Sequence, residues 1–240
     1  MLVRASAWAS LVPIFADRSA GRFARLATSL ALAIALTPVV SAQVPADLST
    51  YDVLTAAGKG IIVGLVLGWT TALFLETIEM AGTIVDIMSG ISIATLFDPA
   101  SGNQVSLFAR LARYTMIASI FATGSYYSII TGFVRTFEAV PLIHSGSISF
   151  DSKGVVNAIG LIFIGALSLT APLVGALFLT EVVLALASRF APSLNVLSMS
   201  LPAKTLIALT LAGVTFSVIP AHVGRLLADA QQLIRLLKAG

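Results

Sequence analysis

Cysteine is absent from the 240 residues, and histidine occurs only twice, at His144 and His222. Without cysteine the chain can hold no disulfide, no thiolate metal site and no cysteine nucleophile. The two histidines lie far apart in sequence, where such residues are more often loop or interface residues than metal ligands. The Gly-x-Ser-x-Gly elbow and the His-Glu-x-x-His zinc motif are missing as well. The sequence therefore predicts a protein that is not an enzyme and that uses no metal or other cofactor.

Charged residues are also scarce. They make up 10% of the chain, against 58% hydrophobic residues, and the mean hydropathy is +0.99. A soluble domain has about 25% charged residues. A chain so poor in charge cannot cover itself with polar surface in water, so membrane lipid is the predicted solvent. The formal net charge of +3 is too small to indicate nucleic-acid binding.

The apolar residues fall into stretches long enough to cross a bilayer, which takes about 20 residues in a helix. This pattern predicts an all-α, polytopic integral membrane protein. One of the stretches contains Pro172, and a basic, amphipathic tail (Arg225–Gly240) follows the last. The predicted spans are Leu26–Ala46, Gly60–Leu75 with its helix continuing to about Leu96, Tyr114–Val134, Gly154–Thr180 and Thr205–Gly224.

The basic loops give an orientation. The positive-inside rule places three segments in the cytoplasm: the turn Arg18–Arg25, the pair Arg110 and Arg113, and the pair Arg189 and Lys204. If the chain crossed the membrane once at each predicted span, the basic tail would then lie outside the cytoplasm, against the same rule. Either one segment is not a true span, or the topology differs from the one that hydropathy suggests.

A glycine ladder opens the long second stretch, with Gly60, Gly64 and Gly68 at four-residue steps. In lipid, helices associate where small residues let their backbones approach closely. The ladder therefore predicts a face that docks on another helix. That helix belongs either to the same chain or to a partner subunit.

Three acids follow the ladder: Glu76, Glu79 and Asp86. On a helix they lie within about 80° of one another and form one polar stripe. A carboxylate facing lipid is costly, so the stripe should face a bundle interior, a wet cavity or an arginine. It is interpreted as a hydrophilic conduit or proton relay, or as structural pairing with Arg110, Arg113 or Arg135, or as exposure beyond the membrane.

The sequence after this helix favours an irregular loop. Pro99 removes a backbone donor and disfavours helical geometry at Asp98, while Gly102 permits a positive φ. At membrane depth, an irregular backbone is tolerated only inside protein or beside a water-filled path.

With these residues assembled, the chain resembles the FliR family of flagellar export proteins, which is related to the SctT proteins of injectisomes. The resemblance covers nearly the whole chain, and four pieces occur in the expected order. They are Arg4 to Pro13; Ala81-Gly82 with Asp86, Gly90, Ala94-Thr95 and Asp98-Pro99-Ala100-Ser101-Gly102; Phe137 with Pro141; and Arg189-Phe190-Ala191-Pro192-Ser193-Leu194-Asn195-Val196 with Leu201-Pro202.

The resemblance implies a core membrane subunit of the flagellar type III export gate, in the bacterial inner membrane at the flagellar basal body. It implies a hetero-oligomeric complex with FliP-like and FliQ-like proteins and an FlhB-like switch protein, through which unfolded flagellar subunits are exported. The fold would be bent helical hairpins in a helical assembly. In the family, a loop matching residues 97–107 helps to plug the pore. The corresponding gating-loop residues here are Phe97, Asp98, Pro99, Gly102, Asn103 and Gln104.

The same resemblance predicts a single domain over residues 1–240, with N-terminal hairpins and the gating loop in 1–134 and C-terminal hairpins and the tail in 135–240. Two alternatives stay open. The chain could be the injectisome (SctT) counterpart, or an ion-coupled secondary transporter that uses Glu76, Glu79 and Asp86. Such transporters usually show repeated halves, and no convincing repeat relates the two halves here.

Overall fold

The structure is a computed structural model that describes residues 1–12, 15, 21–41, 49–92, 106–140, 152–190 and 196–235. Within these ranges the regular structure is helical and includes no β-strand, which confirms the predicted all-α class. We number the helices in chain order. They are α1 (Leu2–Leu11), α2 (Gly21–Ser41), α3 (Thr50–Ser89), α4 (Leu107–Ala122), α5 (Tyr126–Ala139), α6 (Ser152–Phe190), α7 (Val196–Ser217) and α8 (Ile219–Arg235).

Among the described residues, three helices are long and apolar enough to cross a membrane: α3, residues Ile159–Phe190 of α6, and residues Met199–Ser217 of α7. Helices α4 and α5 meet this criterion only when they are taken together. At 1.5 Å per residue, the 40 residues of α3 extend for about 60 Å. That length is about twice the hydrocarbon thickness of a bilayer.

Two of the predicted spans are each divided between two helices. Tyr114–Val134 is not one helix, because α4 ends at Ala122 and Gly124 takes a φ of 71°. Glycine accepts this left-handed conformation without steric cost, so a helix ends readily there. Thr205–Gly224 is likewise divided between α7 and α8 at Val218. Pro220 explains this break, since its ring would clash with the preceding helical turn and it lacks an N–H.

Two further stretches need comment. The structure describes residues 26–41 of the stretch Leu26–Ala46 as part of α2, and the apolar helix Arg25–Pro38 within it is shorter than the roughly 20 residues that cross a bilayer; residues 42–46 lie outside the described residues. Pro172 lies within the fourth stretch, and α6 continues through it as a single helix to Phe190. Proline is tolerated inside a membrane helix where neighbouring groups satisfy the freed carbonyl.

By its contacts the chain groups into two units. The first contains Met1–Leu75, Gly124–Gly160 and Arg225–Gly240. Helix α1 lies in its interior, with Arg4, Ala5, Trp8 and Ala9 buried, and packs on α2. Contacts between aromatic rings extend this core. The ring centroids of Trp8 and Phe133 are 4.8 Å apart, and those of Phe133 and Phe137 are 5.5 Å apart.

The glycine ladder of α3 faces α1 in this unit. A Cβ atom on Gly64 would lie 2.5 Å from the carbonyl oxygen of Arg4, and one on Gly68 would lie 2.8 Å from that of Trp8. At Gly60 the nearest atom would be 3.7 Å away. The two later glycines therefore let the backbones of α3 and α1 touch, and the docked helix belongs to the same chain.

The second unit contains Glu76–Thr123 and Leu161–Gly224. Its core joins the end of α3 to α4, α6 and α7, and α6 is tied to α7 by an ion pair of 2.9 Å between Glu181 and Lys204. The core cluster consists of Val85, Phe108, Leu173, Leu177, Ala208 and Ala212.

Candidate functional site

The residues predicted to form the gating loop (Phe97, Asp98, Pro99, Gly102, Asn103 and Gln104) lie outside the described residues. What the structure does describe is the pair of helix ends from which this segment starts and to which it returns. They are the last turns of α3 and the first turn of α4, both in the second unit. We call this pair of ends the loop base.

Asp86 joins the two sides of the loop base. Its side chain is 1% exposed. One carboxylate oxygen accepts the backbone N–H of Phe108 at 3.0 Å, and the other accepts that of Ala109 at 3.1 Å. The first N–H groups of a helix have no partner within the helix and need an external acceptor. Asp86 therefore acts as an N-cap for α4, supplied from another helix.

The residue at the usual capping position of α4 does not perform this role. Ser106 is the N-cap residue by position, but its side chain makes no capping hydrogen bond to any described residue. Serine is normally among the preferred N-cap residues, because its hydroxyl can accept from the second or third N–H of the helix. At α4 the carboxylate of Asp86 takes these donors instead.

Gly82 lets the two helices approach closely at the same place. A Cβ atom there would lie 2.5 Å from the Cα of Ala109 and 2.6 Å from the carbonyl oxygen of Phe108. No side chain larger than hydrogen fits between these backbones. Val85, on the next turn of α3, and Phe108, at the start of α4, are both buried in the core of the unit.

Helix α3 also has a defined end. Gly90 adopts a φ of 82°, and its N–H donates to the carbonyl oxygen of Ile87 at 3.2 Å. A glycine in the left-handed region is a common way to end a helix. Ser89 is fully buried, and its hydroxyl donates to the carbonyl oxygen of Asp86 at 3.2 Å.

The other two acids of the predicted stripe have different surroundings. Glu79 accepts a hydrogen bond of 2.8 Å from Nε of Arg113 and forms an ion pair with this arginine. Glu76 is exposed and forms no ion pair with any described residue. Arg113 was one of the three arginines considered as partners from the sequence. A common conduit through all three acids stays a prediction.

A second buried charge, Arg4 in the first unit, was not recognised as a structural centre from the sequence. Its guanidinium donates to the carbonyl oxygens of Thr136 at 3.2 Å and Val140 at 3.0 Å, at the C-terminal end of α5. It lies 4.3 Å from the centre of the Phe137 ring. Burial lowers the pKa of Arg4 to about 10, so the side chain remains protonated at neutral pH.

The signal for Arg4 was a single cation within an otherwise apolar helix. Such a residue must find a partner, but carbonyl oxygens leave no mark in the sequence. Gly82 was likewise noted only as part of a motif. Its contact with Ala109 depends on how α4 folds back.

Neither histidine belongs to the loop base. His144 lies outside the described residues, and Nδ1 of His222 is 3.2 Å from the carbonyl oxygen of Val218 within its own helical turn. In the part of the chain that the structure describes, no group of three or more His, Cys, Asp or Glu residues could hold a metal ion.

Comparison with known proteins agrees with the resemblance drawn from the motifs. Residues 1–230 match a family model described as bacterial export proteins, family 1. The chain is 33% identical over 180 residues to the Yop proteins translocation protein T of Yersinia pestis, covering 74% of this chain and 69% of that protein. It is 25% identical over 222 residues to the flagellar biosynthetic protein FliR of Bacillus subtilis (91% and 85%), and 26% identical over 210 residues to FliR of Escherichia coli (88% and 80%). The chain thus belongs to the bacterial export proteins, family 1.

Proposed function

We propose that this chain is a core membrane subunit of a type III protein export gate, where it forms part of the pore for unfolded proteins crossing the inner membrane. The family match, the export-related names of its relatives and the three membrane-length helices support this proposal. In this role the chain performs no chemistry of its own, and the energy for transport comes from other subunits.

The observation that carries the gating role is the loop base. Asp86 and Gly82 hold the start of α4 against the end of α3, so the ends of the segment between Ser92 and Ser106 are fixed close together. A segment with fixed ends can occupy a pore without drifting away from it. Phe97, Asp98, Pro99, Gly102, Asn103 and Gln104 are the residues proposed to close the pore.

The branch of the family is proposed on two observations that point in different directions. The run Ala94-Thr95-x-x-Asp98-Pro99-x-Ser101-Gly102 favours the flagellar branch. The identity of 33% to the Yersinia protein makes the injectisome branch the second candidate. In the flagellar case the proposed partners are FliP-like, FliQ-like and FlhB-like membrane proteins, at the basal body.

Assembly is tested first. The tagged protein is extracted from its native membrane in mild detergent and its companions are identified by mass spectrometry. Stable co-purification of FliP-like and FliQ-like proteins, or of their injectisome counterparts, is expected and would identify the branch. A protein that purifies alone and moves a solute in liposomes would contradict the proposal and favour a transporter.

Gating is tested by replacing Asp98–Gln104 with a glycine–serine linker of the same length. This variant should still co-purify with its partners, but it should increase the ion leak of the cell membrane, measured as the decay of an imposed membrane potential. The same seven-residue linker in place of Ala42–Leu48, between α2 and α3, is the matched control and should not leak. Unchanged leak and unchanged export in the first variant would contradict the gating role.

A further inference from the structure

We propose that the ion pair between Glu181 of α6 and Lys204 of α7 is a docking point for a membrane helix of a partner subunit. That helix is apolar and presents an arginine or a lysine to the carboxylate of Glu181. This assignment rests on the proposed function, because it takes the chain to be one subunit of a larger membrane assembly. It adds a contact surface on two helices to that function.

The chain covers the two members of this pair to different extents. Nζ of Lys204 donates to Oε1 of Glu181 at 2.9 Å, and the lysine side chain is 14% exposed whereas the glutamate side chain is 61% exposed. The other carboxylate oxygen of Glu181 accepts no hydrogen bond from any described residue. Leu177 and Ala208, one turn away on each helix, are buried in the core cluster. The core of the second unit therefore covers the lysine and leaves the carboxylate open.

Glu181 lies between large apolar side chains on the outer surface of α6. Phe178, one turn before it, is 60% exposed, and Val183 and Leu186, after it, are 63% and 52% exposed. Both members of the pair belong to the parts of α6 and α7 that are long and apolar enough to cross a membrane. Water is a poor environment for these apolar side chains, and hydrocarbon is a poor one for a carboxylate. An apolar protein surface that carries a hydrogen-bond donor suits both.

The surroundings of the pair favour a helix as the occupant. In their apolar spans, α7 is 11% buried and α6 is 33% buried within the chain, compared with 61% for α3. Gly175, on the exposed side of α6, has space for a Cβ atom, with nothing within 4 Å among the described residues. Small residues are enriched where membrane helices pack together. A basic side chain is the favoured donor, because a hydrogen bond between two charged groups is roughly twice as strong as one between neutral groups.

Three substitutions separate docking from a simple tie between α6 and α7. Lys204→Met breaks the ion pair but leaves the carboxylate of Glu181 available to a partner. Glu181→Leu breaks the same pair and replaces the carboxylate by an apolar side chain that lipid accepts. Glu181→Gln keeps the size and one acceptor oxygen but removes the charge.

The experiment uses the full tagged chain in its native membrane, with a photo-reactive benzoylphenylalanine in place of Phe178. After illumination and purification, the crosslinked segments and the companion proteins are identified by mass spectrometry. We expect a crosslink to a membrane helix of a companion subunit that carries an arginine or a lysine. Glu181→Leu should lower its yield about tenfold or more, since removing one partner of a buried charge pair weakens binding strongly. Glu181→Gln should lower it several-fold, and Lys204→Met, the matched control, should retain it.

The outcomes separate this inference from the proposed function. Crosslinks to lipid alone, while companions still co-purify, would overturn the inference, and so would a crosslinked helix without a basic residue. An equal loss of yield in Lys204→Met and Glu181→Leu would also overturn it, because the pair would then serve only the contact between α6 and α7. If Glu181→Leu fails to accumulate in the membrane, Glu181→Gln decides: a lower yield supports docking and an unchanged yield contradicts it. A wild-type protein that purifies without companions would contradict the proposed function itself.

Discussion

Arg4 is a cation that lies within the protein without a carboxylate beside it among the described residues. Its charge is balanced instead by carbonyl oxygens at the C-terminal end of α5 and by the face of Phe137. The C-terminus of a helix carries partial negative charge, so a cation is favourable there. Arg4 thus joins the start of the chain to the end of α5 within the first unit.

Replacing Arg4 by lysine should destabilise the protein although the charge is kept. A lysine ammonium cannot reproduce the planar fork that contacts two carbonyl oxygens and stacks on Phe137. Leaving a buried acceptor unsatisfied costs about 1–3 kcal/mol. The expected result is a lower melting temperature of the purified protein in detergent. Arg110→Lys, at an exposed arginine, is the control, and equal melting temperatures for the two variants would show that the fork is not needed.

For single residues, the sequence predicts which of them share a helix face but not which groups each side chain contacts. The helical period placed Glu76, Glu79 and Asp86 on one stripe, and Arg113 was among the arginines considered. That Asp86 would bind two backbone N–H groups, 22 and 23 residues away, could not be predicted. A backbone donor is present at nearly every residue, so only the approach of α4 selects these two.

Among the helices, α3 shows how glycines, which have no side chain, determine where one helix packs against another. It contacts α1 at Gly64 and Gly68, and it contacts α4 at Gly82. Between helices in lipid there is little hydrophobic driving force, so close backbone contact is a main source of affinity. The periodic ladder was recognisable from the sequence because its spacing repeats. Gly82 does not belong to this regular spacing, so its contact with α4 could not be recognised from the sequence in the same way.

Gly64→Ala and Gly58→Ala should have opposite effects on stability. Both glycines lie in α3. A Cβ atom at position 64 would meet the Arg4 carbonyl oxygen at 2.5 Å and the Ala7 Cβ at 2.9 Å, whereas position 58 has no atom within 4 Å among the described residues. We expect Gly64→Ala to cost about 1–3 kcal/mol through overpacking. Gly58→Ala should gain about 0.5–1 kcal/mol, because alanine loses less backbone entropy in a helix.

Thermal unfolding of the purified variants in detergent measures both effects. Gly175→Ala in α6, where a Cβ atom would also meet nothing within 4 Å among the described residues, is a second control in the other unit. Equal stability of the Gly64 and Gly58 variants would mean that α1 and α3 do not rely on backbone contact.

Helix boundaries were the least predictable feature of the elements. Hydropathy identified the apolar stretches but joined α4 to α5 and α7 to α8, because a window average does not register a single residue such as Gly124 or Pro220. Pro172 has no such effect, because α6 continues through it. Proline and glycine both permit a helix to end, and tertiary contacts decide whether the helix ends or continues at such a residue.

For the whole molecule, the amount of exposed apolar surface is the main physical constraint. Helix α6 alone presents large side chains that are between 56% and 64% exposed, and they occur along most of its length. A surface of this kind needs lipid or an apolar partner, since soluble monomers rarely expose contiguous apolar patches of more than a few hundred Å². These side chains are Phe163, Ile164, Leu167, Phe178, Leu179 and Val183.

Helix α6 should cross the membrane with its C-terminal end in the cytoplasm. Its 39 residues extend for about 58 Å, more than the roughly 30 Å of hydrocarbon, so at least one end projects into water unless the helix is strongly tilted. Arg189 lies in the last turn, and the positive-inside rule assigns that end to the cytoplasm. Because the chain has no cysteine, single cysteines can report the topology without background.

Three single-cysteine variants test this arrangement: Val156→Cys and Phe190→Cys, at exposed residues near the ends of α6, and Leu167→Cys, at an exposed residue within its apolar span. A membrane-impermeant maleimide should label the cysteine at position 156 in spheroplasts and the one at position 190 in inverted vesicles. The cysteine at position 167 should react only after the membrane is dissolved and the protein denatured, which also serves as the control for intact thiols. Labelling of both ends from the same side would mean that α6 does not cross the membrane, and the overlong helix would then have to lie along the assembly instead of through the bilayer.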